Sequence, residues 1–234
     1  MSLVIDQLFE GPPGLANGGV VCGLLAERLP ERRPIAVTLR RPVPVGVALS
    51  IEDDGSGGFA LVADGEPLAV AHVDDDPDVG EIPSVPPEVA RSAVPDAAYV
   101  ETHPFPRCFG CGPERDAETA VALLPGPVGG GLHATAWTPG PGLPTAPGDV
   151  LAPVAVWAAL DCTTAAAAVP SDVPPHVLGR LEGRVDHPLR VGEEVIVVSW
   201  PLGHEGRKRW GATAILEPGG ELLAVSRATW IALR

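Results

Sequence analysis

One acid stands alone in an apolar stretch. From Val150 to Val169 the chain carries no charge except Asp161. A carboxyl in such surroundings has its pKa raised, which suits it to act near neutral pH as a general base on water or as an attacking nucleophile. Complementary chemistry sits at Asn17-Gly18-Gly19, just before a second apolar stretch, Val20 to Leu29. With that stretch helical, Asn17 caps it, and Gly18 or Gly19 supplies a free N–H at the positive end of the helix dipole, a donor for charge developing on a carbonyl oxygen. Each feature also has a plainer reading. Asp161 is equally an acid satisfied by Arg180 or Arg184, or one that stays protonated in the interior, and Asn17-Gly18-Gly19 is equally a cap and a turn. Cys108 and Cys111 have C-x-x-C spacing. A structural zinc needs four ligands, no second pair is present, and His103 and His133 would complete a set only by coincidence, so no metal is expected. Redox chemistry lacks its usual strand, motif and helix setting here.

Two helices must position these groups. Pro30 ends the first, over Val20–Leu29; the second, over Val150–Val169, stops at Pro170 and must be largely buried. After each come partly alternating apolar strands separated by Gly or Pro turns: 34–41, 46–52, 57–63 and 67–74, then 176–187, 193–201, 206–217 and 221–233. The order repeats because the sequence does. Arg41-Pro42-Val43-Pro44-Val45-Gly46 aligns with His187-Pro188-Leu189-Arg190-Val191-Gly192, and Gly65-Glu66-Pro67-Leu68-Ala69-Val70 with Gly220-Glu221-Leu222-Leu223-Ala224-Val225. The expected architecture is α+β, a tandem duplication in which each copy wraps an antiparallel meander around a central helix. The copies span 1–100 and 101–234, with an acidic, Pro-rich linker from about residue 74 onward.

Composition narrows the function. The 234 residues include 28 Gly and 28 Pro but only 4% aromatics, so Ala, Val and Leu must fill the interior. A net charge of −14 disfavours a nucleic-acid surface, which needs clustered cations. No apolar run approaches the roughly 20 residues that span a bilayer, so no membrane crossing is expected. The N-terminus has no basic segment before an apolar one, and the four cysteines are few; both fit a reducing cytoplasm in which the thiols stay free.

A buried helix enclosed by a curved antiparallel sheet, with Gly-Gly at its start and one acid two turns in, resembles the hotdog-fold acyl-CoA thioesterases, and two copies in one chain resemble their double-hotdog members. In that family the helix begins His-Gly-Gly and carries Asp or Glu eight residues after the first Gly. Copy one keeps Asn17-Gly18-Gly19, but Ala26 stands at the acid's position; copy two keeps Asp161, but Pro153 stands eight residues before it. Eight residues of helix separate two groups by about 12 Å, too far to share one substrate atom. Antiparallel packing of the two helices would therefore make one composite site, Gly18/Gly19 facing Asp161, and lose the other, since Pro153 has no N–H. The resemblance further implies a hydroxyl near Asp161 to hold water, with Thr164 better placed than Thr163, and cations at the pocket mouth for coenzyme A phosphates, at Gly206-Arg207-Lys208. The alternative for Arg207, Lys208 and Arg209 is a solvated strand edge. His103-Pro104-Phe105-Pro106-Arg107-Cys108-Phe109-Gly110-Cys111-Gly112 is similar to a Cys-Phe-x-Cys-Gly segment of the superfamily.

The expected ligand is thus a small acyl thioester, with coenzyme A present only as part of the substrate and no other cofactor. Three classes compete: a thioester hydrolase acting on acyl-CoA or an acyl carrier, a non-catalytic acyl-ligand binding protein, and a hydratase or dehydratase, the last disfavoured by the lack of a His beside Asp161. Acyl length depends on how Trp157, Phe59, Trp137 and Trp210 pack. Double-hotdog chains often pair again, so a homodimer is a further expectation.

Overall fold

A computed structural model describes residues 2–30 and 32–233. The first copy comprises β1 (Ser2–Val4), α1 (Gly18–Ala26), β2 (Ile35–Leu39), β3 (Ala48–Asp53), β4 (Phe59–Ala63) and β5 (Glu66–Val73). Two short helices follow, α2 (Pro87–Ser92) and α3 (Ala97–Glu101). The second copy comprises β6 (Gly126–Gly129), β7 (Leu132–Trp137), the small pair β8 (Thr145–Ala146) and β9 (Val150–Leu151), α4 (Pro153–Ala168), β10 (His176–Val185), β11 (Val195–Glu205), β12 (Lys208–Leu216) and β13 (Leu222–Ala232).

One sheet of 11 strands runs through both copies in the order β1-β3-β4-β5-β2-β10-β13-β12-β11-β7-β6. The first five strands and the next five are mirror-ordered, so the copies meet edge to edge at the antiparallel pair β2–β10, where Thr38 faces Arg180 and Ile35 faces Gly183. The repeat seen in the residues returns as hydrogen bonds. Leu68 O accepts from the N–H groups of Arg40 and Arg41, and Leu223 O accepts from those of Asp186 and His187. The aligned segments therefore make the same turn against the same strand.

The helices lie against each other inside this sheet. A Cβ on Gly19 would stand 2.6 Å from Ala158 Cα and 2.7 Å from Asp161 Cβ, and one on Gly23 would stand 2.6 Å from both Pro153 O and Val154 Cα. Moving forward along α1 thus means moving backward along α4: the pair is antiparallel, and the two glycines let the backbones approach closely. Almost every side chain of α4 from Ala155 to Thr164 is buried, which explains why the stretch tolerates a single charge.

Several boundaries differ from expectation. The second helix starts at Pro153, because Ala152 precedes a proline and is extended, with ψ 150°, while Val150–Leu151 pairs instead with Thr145–Ala146. The first helix ends at Ala26 and continues to Leu29 only as single turns. β1 and β6 are too short to show a periodicity, whereas β7 does alternate over Leu132-His133-Ala134-Thr135-Ala136 and was passed over. The acidic, Pro-rich stretch is not bare linker: it holds α2 and α3, buries Val79 and Ala90 against Ile196, Val198 and Trp200, and is tied down by the Trp200 indole donating to Val79 O at 3.0 Å and by a forked Arg91–Glu194 pair. Among the described residues no helix is long and apolar enough to cross a membrane.

Candidate active site

At the N-terminus of α1, Asn17 accepts from the N–H of Val20 at 3.0 Å through its side-chain oxygen, closing the cap that its position implied. The next two N–H groups have no partner within the helix. Asp161 reaches one of them across the helix pair: Gly19 N–H donates to Asp161 Oδ2 at 2.7 Å. No hydrogen bond from the Gly18 N–H is seen among the described residues, and the second carboxyl oxygen, Asp161 Oδ1, is without a partner among them as well. The glycines of one copy and the acid of the other therefore meet, as the antiparallel arrangement requires.

Neither arginine considered for Asp161 reaches it. Arg180 pairs with Asp74 and Glu182 and bonds Thr38, while Arg184 pairs with Asp76 and Asp186. With 1% of its surface exposed and no cation beside it, the Asp161 carboxyl is pushed up to about 8, chiefly by burial and further by the negative charge of Cys108; the Gly19 N–H and the Cys162 thiol pull the other way.

Asp161, Asn17 and Gly18 line a cavity of about 640 Å³. Its walls are mainly apolar: Leu15 and Val43 from the first copy, Phe105 from the connecting segment, and Val169, Leu178 and Trp230 from the second. The aromatic side chains here are Tyr99, Phe105 and Trp230, not the Trp157, Phe59, Trp137 and Trp210 singled out from sequence, which are taken up elsewhere in the fold. Leu178 packs over Gly18 next to the acid, at the point where the β10–β13 register shifts.

Thr164, expected to hold water, is not among the residues lining this cavity. Its hydroxyl donates to the carbonyl of Asp161 at 2.6 Å and accepts from the Trp230 indole at 2.7 Å, so it braces the helix and a wall residue. Thr163 is likewise consumed, by Ala159 O and the Thr213 hydroxyl. Of the two cations expected at the mouth, Arg207 lines the cavity, with its guanidinium donating to Ala232 O, whereas Lys208 is exposed at the start of β12 and outside the lining. Arg40 and Arg41 line it too and were missed; they follow β2, and Arg41, which opens the repeated segment, is paired with Glu66 at 2.9 Å.

Sequence reading also missed what surrounds the acid. The loop carrying Cys108 and Cys111 folds back onto α4 so that their sulfurs and that of Cys162 lie within 4.8 Å of one another, all buried. Asn17 Nδ2 donates to Cys108 Sγ at 3.4 Å and to Cys162 Sγ at 3.2 Å. Hydrogen bonds from Cys111 and Cys162 hold the Cys108 thiol well below its usual range, while Cys111 and Cys162 are pushed up. His103 also lines the cavity; its Nδ1 accepts from Phe105 N–H, which leaves the proton on Nε2, and Nε2 has no partner. The adjacency of Cys162 to Asp161 was the available clue.

No family profile matches the sequence, and no curated protein matches it. Solved structures do. A conserved protein of unknown function with a hot dog fold from Alicyclobacillus acidocaldarius superimposes with a TM-score of 0.60 at 12% identity, covering 100% of this chain and 92% of its own. A TesB protein of Mycobacterium avium subspecies paratuberculosis gives 0.59 at 14% identity, covering 100% and 93%. An acyl-CoA thioesterase II, TesB2, of Mycobacterium marinum gives 0.56 at 14%, covering 92% and 88%. These likenesses, over whole chains, show that the tandem sheet and its paired helices are a double hotdog fold.

Proposed function

We propose that this double-hotdog chain hydrolyses an acyl thioester, with one composite site between the copies. The carrying observation is the meeting of Asp161 with the free N–H end of α1 at the wall of an apolar cavity. In this reading the acyl group occupies the cavity and its carbonyl oxygen receives the Gly18 N–H, backed by the dipole of α1. Asp161, once ionised, either takes a proton from a water that attacks the carbonyl carbon or attacks it directly to form an acyl-aspartyl anhydride that water then hydrolyses; in both routes the C–S bond breaks and the thiol leaves with a proton that water supplies. Names carried by two of the structurally similar proteins, TesB and acyl-CoA thioesterase, support the substrate class. Coenzyme A phosphates would be met by the cations lining the cavity, Arg40 and Arg207, together with Arg41, which is paired with Glu66 at 2.9 Å.

The test is release of free thiol from short, medium, branched and aromatic acyl-CoAs by wild type and Asp161→Asn. At least one substrate is expected to turn over, with loss of about 10²- to 10⁴-fold in the variant and ligand affinity retained by calorimetry. Binding without turnover across the panel would replace hydrolysis with the acyl-ligand binding reading, and turnover unchanged in Asp161→Asn would remove Asp161 from the chemistry. Arg40→Ala should raise KM for the acyl-CoA but not for the same acyl group on a short thiol lacking phosphates.

A further inference from the structure

The loop Phe105–Gly112 and the middle of α4 build a second set of groups beside the acid. Three thiols from two separate elements converge, and the Cys108–Cys162 sulfur separation is 3.8 Å. Sulfurs bound to one zinc at about 2.3 Å and tetrahedral angles are about 3.8 Å apart. A donor reaches the sulfurs as in thiolate sites: the Asn17 amide donates to Cys108 Sγ at 3.4 Å and to Cys162 Sγ at 3.2 Å. Glycines make the convergence sterically feasible. A Cβ on Gly110 would stand 2.5 Å from Cys162 Sγ, and one on Gly112 would stand 2.6 Å from Cys108 N, where Gly112 N–H closes the loop onto Cys108 O at 2.8 Å.

We propose that Cys108, Cys111 and Cys162 together bind one thiophilic d¹⁰ cation, with the fourth coordination position facing the cavity. All three residues line that cavity, which gives the ion its path and leaves room for a water or a thiol sulfur as the last ligand. The ligand cluster contains neither neighbouring group. His103 keeps its proton on Nε2 because Nδ1 accepts from Phe105 N–H, and Asp161, with Oδ2 engaged by Gly19 N–H and Oδ1 unpaired, lies outside the set of converging sulfurs. Three thiolates leave a residual charge of −1 around Zn²⁺ and −2 around Cu⁺, so the buried setting favours zinc. The assignment is independent of the hydrolase reading, since its measurements need no turnover.

The experiment is metal uptake by the full-length chain, reduced and handled without oxygen, titrated separately with Zn²⁺ alone and Cu⁺ alone and quantified by mass spectrometry of the native chain. One zinc per chain is expected, with the three thiols protected from alkylation, and Co²⁺ in its place should show thiolate-to-cobalt charge-transfer absorption. Cys162→Ser and Cys111→Ser, each checked for fold by circular dichroism, should weaken zinc binding by about 10- to 100-fold or more, whereas Cys22→Ser, a buried thiol outside the cluster, should keep one zinc. Tighter uptake of Cu⁺ than of Zn²⁺ would retain the site and overturn the choice of ion. Uptake below about one tenth of an equivalent of either ion, or full uptake in both folded serine variants, overturns the site, as would a chain that loses two hydrogens to a Cys108–Cys162 disulfide and binds neither ion after reduction.

Discussion

At the scale of single residues, Asp161 decides most. Its carboxyl titrates near 8 in the folded chain, against 3.8 for an ordinary aspartate. Between those values the folded chain holds one more proton than the unfolded chain, so stability falls as pH rises through that window and is level in this respect above it. Urea unfolding of wild type at about pH 5 and about pH 9 should show this decline, and Asp161→Asn, which has no proton to lose there, should show less of it. Activity runs the other way. Since base and nucleophile both need the ionised form, kcat/KM is expected to climb with pH through about 8; a rate already level from pH 5 upward would contradict the role given to this acid. His103 adds a donor whose removal is informative: His103→Phe should alter KM more than kcat, because it removes a cavity-wall N–H outside the reacting pair.

At the scale of elements, the contact between α1 and α4 depends on what Gly19 and Gly23 lack. Alanine normally favours a helix over glycine by about 1 kcal/mol. Gly23→Ala should nevertheless destabilise the chain by about 1–3 kcal/mol, because the new methyl would meet Pro153 O and Val154 Cα, backbone atoms that cannot swing aside. Gly18→Ala meets chiefly the Leu178 side chain, which can move, so it should cost less stability while changing the cavity beside the acid. Denaturant midpoints of the two variants check the order.

At the scale of the whole molecule, the unbroken sheet through β2–β10 and the shared helix pair make the copies one cooperative body. All five tryptophans, Trp137, Trp157, Trp200, Trp210 and Trp230, belong to the second copy, and Trp157 and Trp230 share a core with Val21, Leu25 and Val37 of the first, so their fluorescence reports on the second copy and its seam while far-ultraviolet dichroism reports on both. The two transitions are expected to coincide in urea; an earlier dichroism transition would mean that the first copy unfolds by itself.

Much of this organisation was legible in the residues. The duplication, the two buried helices, the Pro170 stop of the second, the meander strands and the pairing of Gly18/Gly19 with Asp161 follow from periodicity, punctuation and a resemblance, all of which act over short stretches of chain. Other features were not legible there, because they are decided by what distant segments touch. Whether Arg180 and Arg184 neutralise Asp161 depends on Asp74, Asp76, Glu182 and Asp186 claiming them first; whether Thr164 is free depends on Trp230; and the C-x-x-C pair acquires its third sulfur only when a loop of the connecting region folds across α4. Local sequence determined the elements and the chemistry they carry, while tertiary packing decided which partner each polar group finds, since a buried hydrogen bond or ion pair is won by proximity in space rather than along the chain.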